Sequence, residues 1–201
     1  LFHTNKKIIK SIIKSSLGLN KRIFARKCKI RQLSTSQERE FVDNNHLQGY
    51  ASSSIAFGLF CNDELVQMIS LKVTNKDKGS WEIQRMCNKL NYSIIGGGSK
   101  LFKQCLIYLN EQNFKELITY SDKGTFTGQI YEKLGFTKLP DTEPNYLWEN
   151  HGKIMSRQQC QKHKLIKQGF DSNMTEVEIM RSRGYRRIFN SGNRKYVIQL
   201  I

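Results

Sequence analysis

Three consecutive glycines, Gly96, Gly97 and Gly98, stand directly before an amphipathic stretch in SIIGGGSKLFKQCLIYL (93–109). Glycine leaves backbone N–H groups uncovered, and a helix start carries partial positive charge, so the combination suits a phosphate or diphosphate. The candidate cradle is Ile95, Gly96, Gly97, Gly98, Ser99 and Lys100, the lysine adding a cation beside the turn. The same glycines also serve a plain tight bend between strand and helix. A second set of chemically apt residues lies near the C-terminal end. Arg181, Arg183, Arg186, Arg187, Arg194 and Lys195 are interleaved with Tyr185, Phe189 and Tyr196, which suits contacts to phosphates and stacked bases. A charged edge hairpin reads the same way. Cys160 and His163 have ligand-like spacing near His151, but a fourth ligand at matching spacing is missing, so no zinc site is expected there.

The elements that must position these groups follow from periodicity and punctuation. KKIIKSIIKSSLG (6–18) puts Ile8, Ile9, Ile12 and Ile13 on one face of a basic helix that stops at Gly18. Residues 21–34 read as a basic strand, and Ser36 with Glu40 nearby as the start of a helix. Residues 54–73 form two apolar runs around a turn at Asn62–Asp63, a β-hairpin. A strand over 81–90 runs into the glycines. A helix over 99–112 follows, with Leu101, Cys105, Leu106 and Leu109 inward. Then come a strand (116–122), a short helix ending at Gly135 (128–136) and a last strand or hairpin (145–155). Beyond Thr175 the expectation is a helix, a turn at Gly184 and two short strands joined through Asn190–Asn193.

Charge is distributed unevenly along the 201 residues, whose formal net charge is +16. Residues 1–40 carry 11 Lys/Arg against two Glu, residues 41–149 carry 11 against 12 acids, and residues 150–201 carry 11 against three. A near-neutral middle between basic flanks points to a polyanion, with DNA the favoured partner over a merely solvated surface. The expected division is a basic linker over 1–40, a core over 41–150 and a basic C-terminal extension over 151–201. No stretch approaches the roughly 20 apolar residues of a membrane span, so no membrane partner is expected. Five widely spaced cysteines without a CxxC pair predict reduced thiols rather than a disulfide framework. A start at Leu1 suggests a preceding module, and its basic, Ser-containing composition is also that of a transit peptide.

The order hairpin, strand, glycine turn, helix, strand, helix ending in YEKLGF (131–136) and strand resembles the GNAT acyl-CoA N-acyltransferases over roughly residues 40–150. The resemblance implies an α/β fold, a mixed central sheet flanked by helices. It also implies that the turn from Ser93 to Leu101 holds the pyrophosphate of acetyl-CoA or another acyl-CoA. Ser93 stands where the family has Gln or Arg. A narrower likeness, through FVDNNHLQGY, WEIQRM, TYSD and GQIYEKLGF, is to Mom-type phage DNA-modification proteins. The segment KKIIKSIIKSSLGLNKRIFARKCKIRQLS resembles the join behind the nuclease of Vsr-like homing-endonuclease-like proteins. The Mom-type likeness implies four catalytic positions: His46 as general base or, with Asp122, metal ligand, Glu82 orienting the amine, and Tyr131 as proton donor. Arg85 completes an E-x-x-R with Glu82, although residues three apart on a regular strand face opposite sides. Plain alternatives are caps at His46 and Asp122, and packing for Tyr131. The implied function is acyl transfer to a DNA base amine in the cytoplasm of a phage-infected bacterium. The rival is a non-catalytic DNA-binding domain serving an upstream nuclease. Ordinary peptide or small-amine acetylation leaves the basic flanks unexplained.

Overall fold

The computed structural model of the protein describes residues 5–199. The elements in chain order are α1 (Lys6–Ser16), β1 (Lys21–Phe24), a 3-10 turn (Ala25–Lys27), β2 (Lys29–Gln32), α2 (Thr35–Asn45), β3 (Ile55–Cys61), β4 (Glu64–Asn75), β5 (Ser80–Asn88), β6 (Tyr92–Ile95), α3 (Gly97–Glu111), β7 (Glu116–Asp122), α4 (Gln129–Lys133), β8 (Thr137–Leu139), β9 (Tyr146–Asn150), β10 (Lys153–Ser156), α5 (Lys162–Lys167), α6 (Glu176–Ser182), β11 (Arg186–Phe189) and β12 (Asn193–Gln199). The chain divides into two compact units, one of residues 1–120, 129–139 and 196–201, the other of residues 121–128 and 140–195.

The first unit is built on a seven-stranded mixed sheet in the order β2-β3-β4-β5-β7-β12-β8. Strands β2 to β5 are antiparallel neighbours, as the alternation around the Asn62–Asp63 turn requires, and both turn residues adopt positive φ. Leu101, Phe102, Cys105 and Leu109 of α3 bury against Phe57, Leu59, Ile69, Leu71 and Ile83 on one face. Phe41 and Val42 of α2 bury against Ala56, Phe60 and Met68 on the other. Ser34, not Ser36, caps α2: its hydroxyl accepts the Gln37 N–H while Gln37 bonds the Ser34 N–H, a reciprocal box that satisfies two donors.

Two expected strands are interrupted. The basic run 21–34 breaks at the 3-10 turn, so β1 pairs in parallel with β6 as a separate ribbon while β2 edges the main sheet. The run 81–90 ends at Asn88, Asn91 takes a positive φ, and β6 then leads separately to the glycines. Between β4 and β5 the register shifts: Ser70 faces Arg85 but Leu71 faces Ile83, leaving Gln84 as an extra residue, a β-bulge. The parallel ladder of β5 with β7 covers only Ser80–Glu82 against Glu116–Ile118, although both strands continue beyond it.

The second unit has its own three-stranded antiparallel sheet, β10-β9-β11, so the expected last strand of the core over 145–155 belongs elsewhere. Its core gathers Trp148, Cys160, Leu165, Ile179, Met180 and Tyr185. Helix α6 starts as expected after Thr175, through a capping box with Glu178. Asn190–Asn193 does not close a hairpin: β11 pairs with β9, whereas β12 lies in the seven-stranded sheet between β7 and β8. The basic ends are therefore not simple extensions, since β2 from residues 1–40 and β12 from residues 151–201 are strands of the central sheet.

Candidate functional site

The glycine run is absorbed into the helix rather than preceding it. Gly96 is the N-cap in the left-handed conformation (φ 75), and Gly97 and Gly98 form the first turn of α3. No side chain caps this end, and the first intrahelical bond runs from Lys100 N–H to the Gly96 carbonyl (3.1 Å). The amides of Gly97, Gly98 and Ser99 thus have no intrahelical acceptor, the arrangement that makes a helix start attract anions. The space over Gly96 is open. Gly97 is glycine for a packing reason: a Cβ there would collide with Gln67 Oε1 and come within 2.7 Å of Ile94 Cγ2. Gln67 is buried, and its Oε1 takes no hydrogen bond among the described residues. A lone glutamine in an apolar strand was the signal for it, in ELVQMISL.

Lys100 does not point at the turn. Its ammonium donates to the carbonyls of Ala25 (3.0 Å) and Cys28 (2.6 Å), fastening the basic turn Ala25–Lys27 to the first turn of α3. Beside it, Phe24 and Ile95 face each other across the β1–β6 ribbon, both 46% exposed, and the Arg26 guanidinium lies 5.3 Å from the Phe24 ring. Residues 21–32 contain six Lys/Arg and no acid. This apolar, cationic rim next to Gly96 was not anticipated, because nothing in the order of residues 21–34 announces a partner at 92–95.

Two acid–base candidates of the first unit, Glu82 and His46, sit at the opposite face of the sheet from the glycine turn. The bulge at Gln84 reverses the parity of β5: Glu82 faces Lys72 and Arg85 faces Ser70, two positions apart on β4 and therefore on one side. Glu82 and Arg85 thus share the α2 face, correcting the expectation that spacing separates them. Burial pushes the Glu82 carboxyl above its ordinary range, opposed by Arg85 and Lys72. Arg85 donates from Nε to the Gly49 carbonyl (2.8 Å) and from Nη1 to the Gln84 carbonyl (2.7 Å), tying the loop after α2 to the bulge. His46 sits on that loop. Its backbone N–H closes α2 onto Val42, and its Nδ1 accepts the Gln48 N–H at 3.2 Å. Burial, with Arg85 nearby, lowers its pKa to about 4, so the ring is neutral at pH 7. A neutral imidazole has one acceptor nitrogen, and here it is occupied. Buried Glu38 of α2 adds a carboxylate whose Oε2 accepts the Ser53 hydroxyl (2.6 Å).

Tyr131 lies on α4, whose Ile130 side chain stands beside Gly98, 3.5 Å from where a Cβ would be. The ring packs into an aromatic group with Phe136 (5.6 Å between centroids) and Tyr196 (5.3 Å). Burial pushes its phenol above the ordinary range and keeps it protonated. Asp122 belongs to the second unit and serves a turn: Oδ1 accepts the Gly124 N–H at 2.7 Å, and its carbonyl accepts the Phe126 N–H. Among the described residues, no group of three or more His, Cys, Asp or Glu is arranged to hold a metal ion.

The candidate polyanion contacts are partly engaged within the second unit. Arg186 Nε pairs with Glu149 at 2.6 Å, Arg194 Nη1 donates to the Phe126 carbonyl at 2.6 Å, and Arg183 stacks on Phe170 and Tyr185. Lys195 is half-buried, whereas Arg181 is exposed at the end of α6. Exposed Arg187 lies 5.3 Å from the rings of both Tyr146 and Phe189, and Arg157 lies 5.2 Å from Tyr146. Tyr146 and Arg157 escaped notice because their partners lie on other strands.

Two outcomes follow from this geometry. Gly97→Ala should lower stability by about 1–3 kcal/mol through overpacking, with Gln67→Ala in the same chain restoring part of it. Gly96→Ala, facing open space, should cost only the left-handed backbone term, about 1 kcal/mol; urea titrations distinguish the two. For His46, the folded value of about 4 lies below the ordinary 6.5. The unfolded chain therefore binds the extra proton between those values. The stabilising contribution is full above pH 6.5 and is lost as pH falls toward 4. Urea midpoints across that window should show a shallower pH dependence for His46→Gln than for the wild type.

No family profile and no curated relative matches the sequence. Solved structures do resemble it. A probable acetyltransferase from Staphylococcus epidermidis superposes with a TM-score of 0.51 at 15% identity, covering 87% of this chain and 99% of the other. The ribosomal-protein-S18-alanine N-acetyltransferase from Escherichia coli gives 0.52 at 11% identity, over 86% and 93% of the two chains. A GNAT family acetyltransferase from Elizabethkingia anophelis, with acetyl-CoA bound, gives 0.50 at 14% identity, over 87% and 99%. At these identities the likeness is one of architecture, and the architecture of this chain is the GNAT fold.

Proposed function

We propose that the protein is an acyl-CoA-dependent N-acyltransferase that acts on an amine of a DNA base. The carrying observation is the uncapped start of α3, where Gly96 opens the space and three amides lack intrahelical acceptors. A diphosphate would take those amides, and the apolar, cationic rim of Phe24, Ile95 and Arg26 suits the nucleotide end of coenzyme A. The acyl-CoA bound by a structural neighbour is consistent with this reading.

The chemistry would cross the sheet. The glycine turn and Tyr131 are on the α3 face, Glu82 and Arg85 on the α2 face. The ladder between β5 and β7 stops at Glu82 and Ile118, and a thioester would have to pass between the strands beyond that point. The acceptor amine would lose a proton to the Glu82 carboxylate as its nitrogen bonds to the thioester carbonyl carbon. Collapse of the tetrahedral adduct would break the carbon–sulfur bond, and Tyr131, kept protonated by burial, is the candidate to protonate the leaving thiolate. Arg85 holds the His46–Gly49 loop against this face and opposes the burial penalty on the Glu82 charge.

DNA is favoured as acceptor by the second unit. Arg157 and Arg187 flank Tyr146 while Phe189 is 57% exposed, a cation–aromatic surface of the kind that binds phosphates and stacks bases. The likeness to phage DNA-modification proteins favours a phage-infected bacterial cytoplasm as the setting. A non-catalytic DNA-binding role for the same chain keeps this surface and forgoes the coenzyme.

Acetyl-CoA titrated into the wild-type chain by calorimetry should give saturable heat. Glu82→Gln should keep that binding while losing about 100-fold or more in transfer to single-stranded oligonucleotides, the scale of general-base catalysis. No heat at millimolar acetyl-CoA would remove the transferase reading and leave the binding role. For the acceptor, affinity for oligonucleotides should fall steeply with salt, and Arg187→Ala should reduce the log–log slope by about 1. A flat salt series would remove DNA.

A further inference from the structure

Read singly along the chain, Cys28 and Cys61 are isolated thiols; the sheet brings them together. Strands β2 and β3 are antiparallel with Lys29 opposite Phe60 and Ile30 opposite Leu59, so the next pair outward is Cys28 opposite Cys61. Cys28 keeps extended backbone angles (φ −100, ψ 150), which carries the strand geometry out to that position. Both side chains lie on the α3 face, Cys28 inside the core cluster and Cys61 packed against it. Directly opposed residues on one face have Cα separations of about 4.5–5.5 Å, within the range spanned by disulfides. Their Cβ atoms are about 4.5–5.5 Å apart, so the Cβ atoms must close by up to about 1 Å when the bond forms. The Cys28 thiol donates to the Phe24 carbonyl at 3.8 Å, and Cys61 is near enough to help push the Cys28 thiol up.

We propose that Cys28 and Cys61 form a reversible dithiol–disulfide site, oxidised by exchange with a low-molecular-weight disulfide. Access sets the order of events. Cys28 is buried, and burial together with Cys61 pushes its thiol up, whereas Cys61 is partly exposed. The Cys61 thiolate attacks the external disulfide, forming a mixed disulfide and releasing one thiol. The Cys28 sulfur, losing its proton, then displaces the second thiol and closes the protein disulfide. One external disulfide is reduced to two thiols, and the protein loses two hydrogens.

The position gives the bond a structural consequence. The Cys28 carbonyl is one of the two acceptors of the Lys100 ammonium, so the bridge would pin to β3 the turn that Lys100 fastens to the start of α3. The other thiols of this unit are poor competitors: burial raises Cys87 to about 12 and pushes Cys105 up as well. The site is independent of the acyl-transfer reading, and its test needs no activity.

The folded wild-type chain is incubated with oxidised glutathione, then unfolded and alkylated, and its thiols are counted by mass. The expected result is loss of two of the five alkylatable cysteines, with a peptide map linking Cys28 to Cys61 and full recovery on reduction. Cys61→Ser should leave Cys28 unmodified, and Cys28→Ser should stop at a glutathione adduct on Cys61. Five alkylated thiols in the treated wild type, an adduct that never resolves, or a bridge to Cys87 or Cys105 would each overturn the proposal.

Discussion

The extra residue in β5 is the constraint on which the site depends. A strand alternates its faces strictly, so residues three apart cannot cooperate across a regular ladder. Gln84, unpaired opposite the Ser70–Leu71 step, resets that alternation and brings Glu82 and Arg85 to one side. It also leaves the Gln84 carbonyl free to accept from Arg85, whose other bond reaches Gly49 and fixes the loop carrying His46. Beyond Glu82 the ladder to β7 stops. Without the bulge, the carboxylate, the guanidinium and the His46 loop would not share a surface.

The opposite face depends on a different device, the Lys100 ammonium. By taking two carbonyls of the turn between β1 and β2, it joins the basic N-terminal segment to a helix start that no side chain caps. The parallel ribbon of β1 with β6 completes the join, bringing Phe24 beside Ile95 and so beside the open space at Gly96. A cation spent on carbonyls is not available to a phosphate. The groups left to contact an anion at this helix end are the amides of residues 97–99, with Arg26 alongside.

The second unit follows another logic. Its small core around Trp148 is held by polar bonds to one carboxylate: Glu176 Oε1 accepts from the Tyr146 hydroxyl (2.9 Å) and from Trp148 Nε1 (3.1 Å). With those aromatic rings fixed, Arg157 and Arg187 have stable faces to stack on. Several arginines that look free in sequence are engaged there, Arg186 with Glu149 and Arg194 with a carbonyl. Basic composition alone overstates how much charge is at liberty.

Local chemistry determined a good part of this protein. Periodicity and punctuation were enough for α1, the β3–β4 hairpin, α3, β7 and α4, and charge counting separated a neutral middle from basic ends. Each of those signals is carried by residues within a few positions of one another. What only the tertiary structure decided is non-local: the division of the run 21–34 between two sheets, the return of β12 to the central sheet, the Gln84 bulge, and the meeting of Lys100 with Ala25 and Cys28. Even the cap of α2 turned on a reciprocal bond between Ser34 and Gln37 rather than on residue type alone. The physical reason is common to all of them. Hydrogen-bond register and side-chain partners are chosen by packing against strands distant in sequence, and that choice leaves no mark on the spacing of the residues that make it.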